Sequence, residues 1–226
     1  MKNKQQIQKM VVLAMLFALT IVLQAIARFL PAISVYALPL GLIPVAVAAI
    51  VYGPKEGMLL GFLWGAFINI SDPDCQIFYN WKSLNRFLAI LYTIITVAGR
   101  GALDGLFIGL AYKGLIFVFN LFNKDKNRAK QITFETIATI IVSLLMLLFN
   151  NLVFYTCLTL FFASGWPALE KFFSINLAIS VIVSAISAPI MARIVLVSNM
   201  VLNTEKKQEQ VEEVEQASDT FSSLED

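Results

Sequence analysis

The sequence predicts an all-α integral membrane protein, a bundle of six transmembrane helices with both termini in the cytoplasm. Three observations lead there. Hydrophobic residues make up 58% of the 226 and charged residues only 14%, whereas a soluble domain carries roughly a quarter of its residues as charged side chains. A mean hydropathy of +0.76 spreads that apolar excess over the whole chain rather than over one helix. Uncharged runs then recur at 10–27, 29–54, 57–71, 136–169 and 172–192, most of them as long as the roughly 20 residues that cross a bilayer.

The first span, 8–29, comes after a basic arm of Lys2, Lys4 and Lys9. Together with Ala25-Ile26-Ala27 this resembles a secretory signal with a small-x-small cleavage site. Retention is the expectation, because further spans lie beyond it and losing the first would spoil the charge distribution. The span carries Ala14 and Ala18, a small-xxx-small pair that lets another helix approach closely; ordinary packing within the chain is the plainer use of such a pair. The second span, 36–52, ends at Gly53-Pro54, where glycine reaches positive φ and proline stops a helix. The third, 55–70, carries Gly57, Gly61 and Gly65 at four-residue steps, a smooth ridge for a neighbouring helix.

A long connection, 71–99, holds Asp72, Asp74, Tyr79, Asn80, Trp81, Lys82 and Arg86, a composition that suits a lid or binding element. Tyr79 and Trp81 suit interfacial anchoring equally well. The fourth span, 101–121, is interrupted by Asp104 and Lys113. The fifth, 134–162, stops before the turn Gly165-Trp166-Pro167, and the sixth is 172–201. Residues 1–203 thus form one six-helix membrane domain and 204–226 a polar, acidic tail. With the N-terminus inside, the cytoplasmic segments collect Lys2, Lys4, Lys9, Lys55, Lys113, Lys124, Lys126, Arg128, Lys130, Arg193, Lys206 and Lys207 of the 17 basic residues. That is the positive-inside pattern of a multi-pass protein, and the plasma membrane is its expected location.

Composition also excludes chemistry. The chain has no histidine and two cysteines, so histidine-based catalysis, zinc sites and a disulfide framework have no material, and neither a metal nor another cofactor is expected. A net charge of +2 without a basic block interleaved with aromatics gives nucleic acid no footprint. No Gly-x-x-x-x-Gly-Lys-Ser/Thr loop cradles a phosphate, so any ATP hydrolysis belongs to other chains. No paired carboxylates or nucleophile-base set shares one depth, and the chain is not expected to be an enzyme.

Polar residues inside the spans are the candidate site. Arg100 opens the fourth span, where an arginine needs a carboxylate, water or headgroup partner. Asp104, one turn on, supplies it in the plainer reading, and a ligand carboxylate supplies it in the sharper one. Asn150 and Asn151 lie halfway through the fifth span, where an unpaired amide is costly, so at least one faces the interior. Asn176 begins the sixth span near the same outer side. Arg100, Asn150, Asn151 and Asn176 could line one outward-opening pocket, with Tyr79 and Trp81 above it.

The order of these features resembles the substrate-binding S components of energy-coupling factor vitamin transporters. The likeness rests on six spans with both ends inside, Ala14 and Ala18, the run Gly53-Pro54-Lys55-Glu56-Gly57 continuing through Gly61 to Trp64-Gly65, Arg100 with the stretch 106–113 after it, and Asn151-Leu152-Val153-Phe154. It implies a protein that binds a vitamin at its outer face, docks through Ala14 and Ala18 on a transmembrane coupling subunit carrying two ATPases, and topples in the bilayer to release its cargo. Arg100 and Asn151 would then contact the ligand. Pantothenate is the expected vitamin, since its carboxylate, hydroxyls and amide suit an arginine with asparagines. Riboflavin comes next, stacking on Tyr79, Trp81 and Trp64. A membrane structural or assembly protein without a ligand is the alternative of another class, with the asparagines only holding helices together.

Overall fold

An apolar chain in a bilayer must satisfy every backbone amide within itself, and helices do this segment by segment. The computed structural model describes residues 2–28, 40–72, 75, 79–80, 84–122 and 128–162, with Ile182, Ser187, Ile190, Ile194 and Val197. Among these residues the architecture is all helical. Trp81, Asn176, the tail and the remainder of the sixth span lie outside the described residues.

Helix α1 (Lys2–Arg28) has no glycine or proline to break it, and Thr20 turns its hydroxyl back to the Leu16 carbonyl at 2.8 Å. Helix α2 (Leu42–Val51) is too short to cross a bilayer alone and is buried on nearly every side, from Leu42 to Ile50. A helix apolar all round belongs in a core, and α2 is the centre of this one. Gly53 at φ 117° turns the chain, and Pro54 in the first turn starts α3 (Pro54–Ser71). Proline costs nothing there, because its missing N–H would lack a helical partner anyway.

Helix α4 (Arg86–Ile94) is capped by Asn85, whose side-chain oxygen accepts the Phe87 N–H at 3.4 Å. It continues through a π-helical turn, Ile95–Gly99, into α5 (Arg100–Phe122). The sequence reading leaves 87–97 in the connection; the structure makes it helix. Bounding spans by charged residues cuts the chain at Arg86 and Arg100, yet no proline or glycine lies between Arg86 and Ala98 to end a helix, and Ala89 and Thr93 bury one face of it. Helix α6 (Arg128–Phe162) is likewise longer than expected, starting six residues before 134. Among the described residues three stretches are long and apolar enough to cross a membrane: Gln6–Ala27, Arg86–Leu121 and Ala129–Phe162.

Named contacts fix the directions of the helices. A Cβ built on Gly57 would lie 2.8 Å from the Gly105 carbonyl oxygen, and one on Gly61 would overlap the carbonyl of Gly101. One residue number rises as the other falls, so α3 and α5 are antiparallel. Asp104 meets Asn150, Phe107 stacks on Phe149 at 4.0 Å and Phe119 on Phe134 at 5.0 Å, so α5 and α6 are antiparallel as well. Lys9 pairs with Glu56, and the Trp64 Nε1–H donates to Gln24 Oε1 at 3.2 Å, which sets α1 parallel to α3. Apolar side chains cover the outside of these helices, among them Met15, Leu19 and Val22 on α1 and Leu144, Leu152 and Leu160 on α6. An exposed apolar surface of this extent is what lipid solvates.

Candidate functional site

Two rows of glycine bring α3 and α5 together so closely that side chains nearby are forced into shared space. Gly57, Gly61 and Gly65 on α3 face Gly105, Gly101 and the backbone of Val97 and Ala98, while Gly109 on α5 faces Pro54. Gly65 lies against the π-helical turn. Such turns occur often at functional sites, because the i→i+5 bonding resets the helical phase of the residues beyond it. In this helix the first residue so re-aimed is Arg100.

Arg100 is partly buried, with its guanidinium carbon 4.6 Å from the ring centroid of Phe154 and 5.9 Å from that of Trp64. A guanidinium over aromatic faces gains cation–π attraction. Its Nε is buried and without a hydrogen-bond partner. Arg100 makes no ion pair with Asp104 among the described residues, so the plainer expectation of an i,i+4 pair is not what the structure forms. Asp104 Oδ2 instead accepts from the Asn150 Nδ2 of α6, and Oδ1 has no partner. Asp104 is 0% and Asn150 2% exposed.

Of the two asparagines, Asn150 is therefore the one turned fully inward; Asn151 is half-buried. Tyr79 is half-buried and donates its hydroxyl to the Asn69 carbonyl at 3.0 Å, which fastens the connection to the C-terminal end of α3. Asn150 reaches Asp104, which stands one turn from Arg100 on α5. Trp81 and Asn176 are outside the described residues. Ala14 and Ala18 both stand exposed on α1, away from this cluster.

Sequence reasoning missed several members. Asp104 appeared only as a neutraliser for Arg100, whereas it joins α5 to α6. Thr96 is 2% exposed with its hydroxyl beside the Cys157 thiol, and Asn69 is 5% exposed with an unpartnered Nδ2. Thr96, Arg100 and Asp104 recur at four-residue steps, a signal present in the sequence but hidden once 87–97 is read as loop. Gln24, the amide within the apolar part of α1, anchors Trp64, which is 0% exposed. Among the described residues no group of three or more His, Cys, Asp and Glu gathers as metal ligands.

The class these observations define is, among the described residues, an all-helical protein whose long helices are apolar enough to cross a membrane, around a buried polar cluster. No protein-family model matches the chain, and no curated protein and no solved structure matches it.

Proposed function

We propose that this chain is the substrate-capturing membrane subunit of an energy-coupling-factor-type importer, spanning the plasma membrane six times with both termini in the cytoplasm. It takes up a vitamin, pantothenate in the first instance, from the outer side and delivers it by docking on a transmembrane coupling subunit that works with two ATPases. The observation that carries this reading is an arginine inside the apolar bundle that forms no ion pair within 4.0 Å among the described residues. A cation held between Trp64 and Phe154, with its Nε buried and unpartnered, is expensive in a membrane, and such residues are retained for substrates. A ligand carboxylate supplies the planar acceptor that a guanidinium fork fits.

Two further features support it. Ala14 and Ala18 are exposed on α1, as a face that receives another helix must be. Trp64 is enclosed by Gly41, Gly101 and Gln24, which makes it a wall of the site rather than a stacking platform and favours pantothenate over riboflavin.

Mass spectrometry of small molecules released by denaturing the detergent-purified protein tests the proposal. The expected result is stoichiometric pantothenate that is absent from Arg100→Ala. Another vitamin would keep the class and change the substrate. A protein that releases nothing, and that confers no uptake when co-expressed with a coupling subunit and its ATPases, would leave only the structural role.

A further inference from the structure

Arg100 accounts for an anion, but it does not account for Asp104. Given the ligand-binding function proposed above, we infer that the ligand also carries a hydrogen-bond donor, a hydroxyl, amide N–H or ammonium, about one helical turn from its anionic group, and that Asp104 Oδ1 receives it.

A carboxyl oxygen left without a hydrogen-bond partner in an apolar interior is costly. Asp104 is 0% exposed, and only one of its oxygens is used, by Asn150. If the sole purpose were to tie α5 to α6, a second amide in place of Asp104 would make the same bond without burying a charge. Asn150 does more than tie: by holding Oδ2 it fixes where Oδ1 points. The buried unpartnered atoms of the neighbourhood are not scattered, either. Arg100 Nε and Asp104 Oδ1 stand one turn apart on α5, roughly 6 Å along the helix axis. This turn of α5 therefore offers a cation and, one turn on, an acceptor. Its chemistry selects a short hydroxy-, amido- or amino-acid over a plain fatty acid or a neutral polyol.

The test uses the full chain in detergent and three probes: pantothenate, which has both features; pantothenol, which keeps the hydroxyls and amide but has an alcohol in place of the carboxylate; and hexanoate, which has the carboxylate and no donor. Wild-type protein should bind pantothenate at least about tenfold more tightly than either of the others, the scale of a hydrogen bond to a charged group. Asp104→Asn should lose at least about tenfold for pantothenate and nothing for hexanoate. Arg100→Ala should instead erase the preference for pantothenate over pantothenol. Hexanoate binding as tightly as pantothenate would overturn the inference, as would Asp104→Asn binding pantothenate normally while Arg100→Ala fails; the ligand-binding function would survive either result. If Asp104→Asn does not fold, the comparison of pantothenate with hexanoate on the wild-type protein decides alone. If the wild type binds none of the three, the metabolite it releases on denaturation decides: a donor-bearing anion supports the assignment, and a neutral or donor-free molecule overturns it. A chain that binds none and releases none has no such site, and then both the ligand-binding function and this assignment fall.

Discussion

Arg100, Asp104 and Asn150 show what a membrane interior does to single residues. Each is polar enough to be expelled by its surroundings unless something holds it, and the holding is incomplete: Asn150 donates to one oxygen of Asp104 and the other is unpartnered. Breaking one half of a buried pair and removing both halves have opposite consequences. Asn150→Leu should cost about 1–3 kcal/mol, because it strands a buried carboxylate, and the melting midpoint in detergent should fall accordingly. Adding Asp104→Leu should return most of that loss, since two apolar partners leave nothing unpaired. A double variant less stable than the single one would mean that the pair exists to hold α5 against α6. Arg100→Lys tests the cation in the same spirit. Lysine keeps the charge but gives up the planar fork and the ring contacts with Phe154 and Trp64, so pantothenate affinity measured by calorimetry should drop about tenfold or more with little change in melting. Unchanged affinity would show that charge alone is recognised.

At the scale of elements, backbone approach decides. The ridge Gly57, Gly61 and Gly65 is legible from its four-residue spacing, but its counterpart Gly101, Gly105 and Gly109 has the same spacing and goes unread, because Asp104 and Lys113 interrupt that span. Only the structure shows the two rows meeting, with Cβ atoms at Gly61 and Gly105 overlapping the carbonyls of Gly101 and Gly57. Backbone cannot swing aside as a side chain does, so Gly61→Ala should abolish the folded, monodisperse species in detergent. Gly114→Ala in the same helix as Gly101 meets nothing within 4 Å and should instead raise stability by about 0.5–1 kcal/mol through helix propensity. Equal tolerance of the two would refute close α3–α5 packing. Helix α1 makes the opposite case, for there the small residues lie outside the core. Ala14→Trp with Ala18→Trp should leave the melting midpoint and pantothenate binding unchanged, both sites being exposed, and should abolish uptake in cells expressing the coupling subunit and ATPases. Uptake at the wild-type rate would remove α1 as the docking face.

For the whole molecule, the legible part is what the bilayer enforces and the illegible part is what neighbours enforce. Apolar runs bounded by charge locate α3 closely and give the cores of α1 and α6, each of which starts six residues earlier than expected, because a membrane segment must be apolar whatever it packs against. The join of α4 to α5 is lost to the same rule, since a rule that ends spans at charges cannot see an arginine packed inside a helix between two aromatic rings. Which of two adjacent asparagines turns inward is a matter of helical phase, and the π-helical turn resets that phase for the partner helix. The orientation expected from the lysines has one consequence that contacts alone allow to be tested. Lys9 of α1 pairs with Glu56 at the start of α3, so the beginnings of these two parallel helices share one end of the bundle, and the end of α3 belongs at the other. Positive-inside placement makes the first end cytoplasmic. Ile7 near the start of α1 is 61% exposed and Ile70 at the end of α3 is 85% exposed, so cysteine at either is reachable without disturbing the core. In a background lacking Cys75 and Cys157, a membrane-impermeant maleimide added to intact cells should label Ile70→Cys and spare Ile7→Cys until the membrane is opened. The reverse pattern would invert the protein and put Arg100 on the wrong side for an importer. Labelling of both from one side would mean that the segments between them cross the membrane an even number of times, which the antiparallel α3 and α5 and the parallel α1 and α3 together forbid.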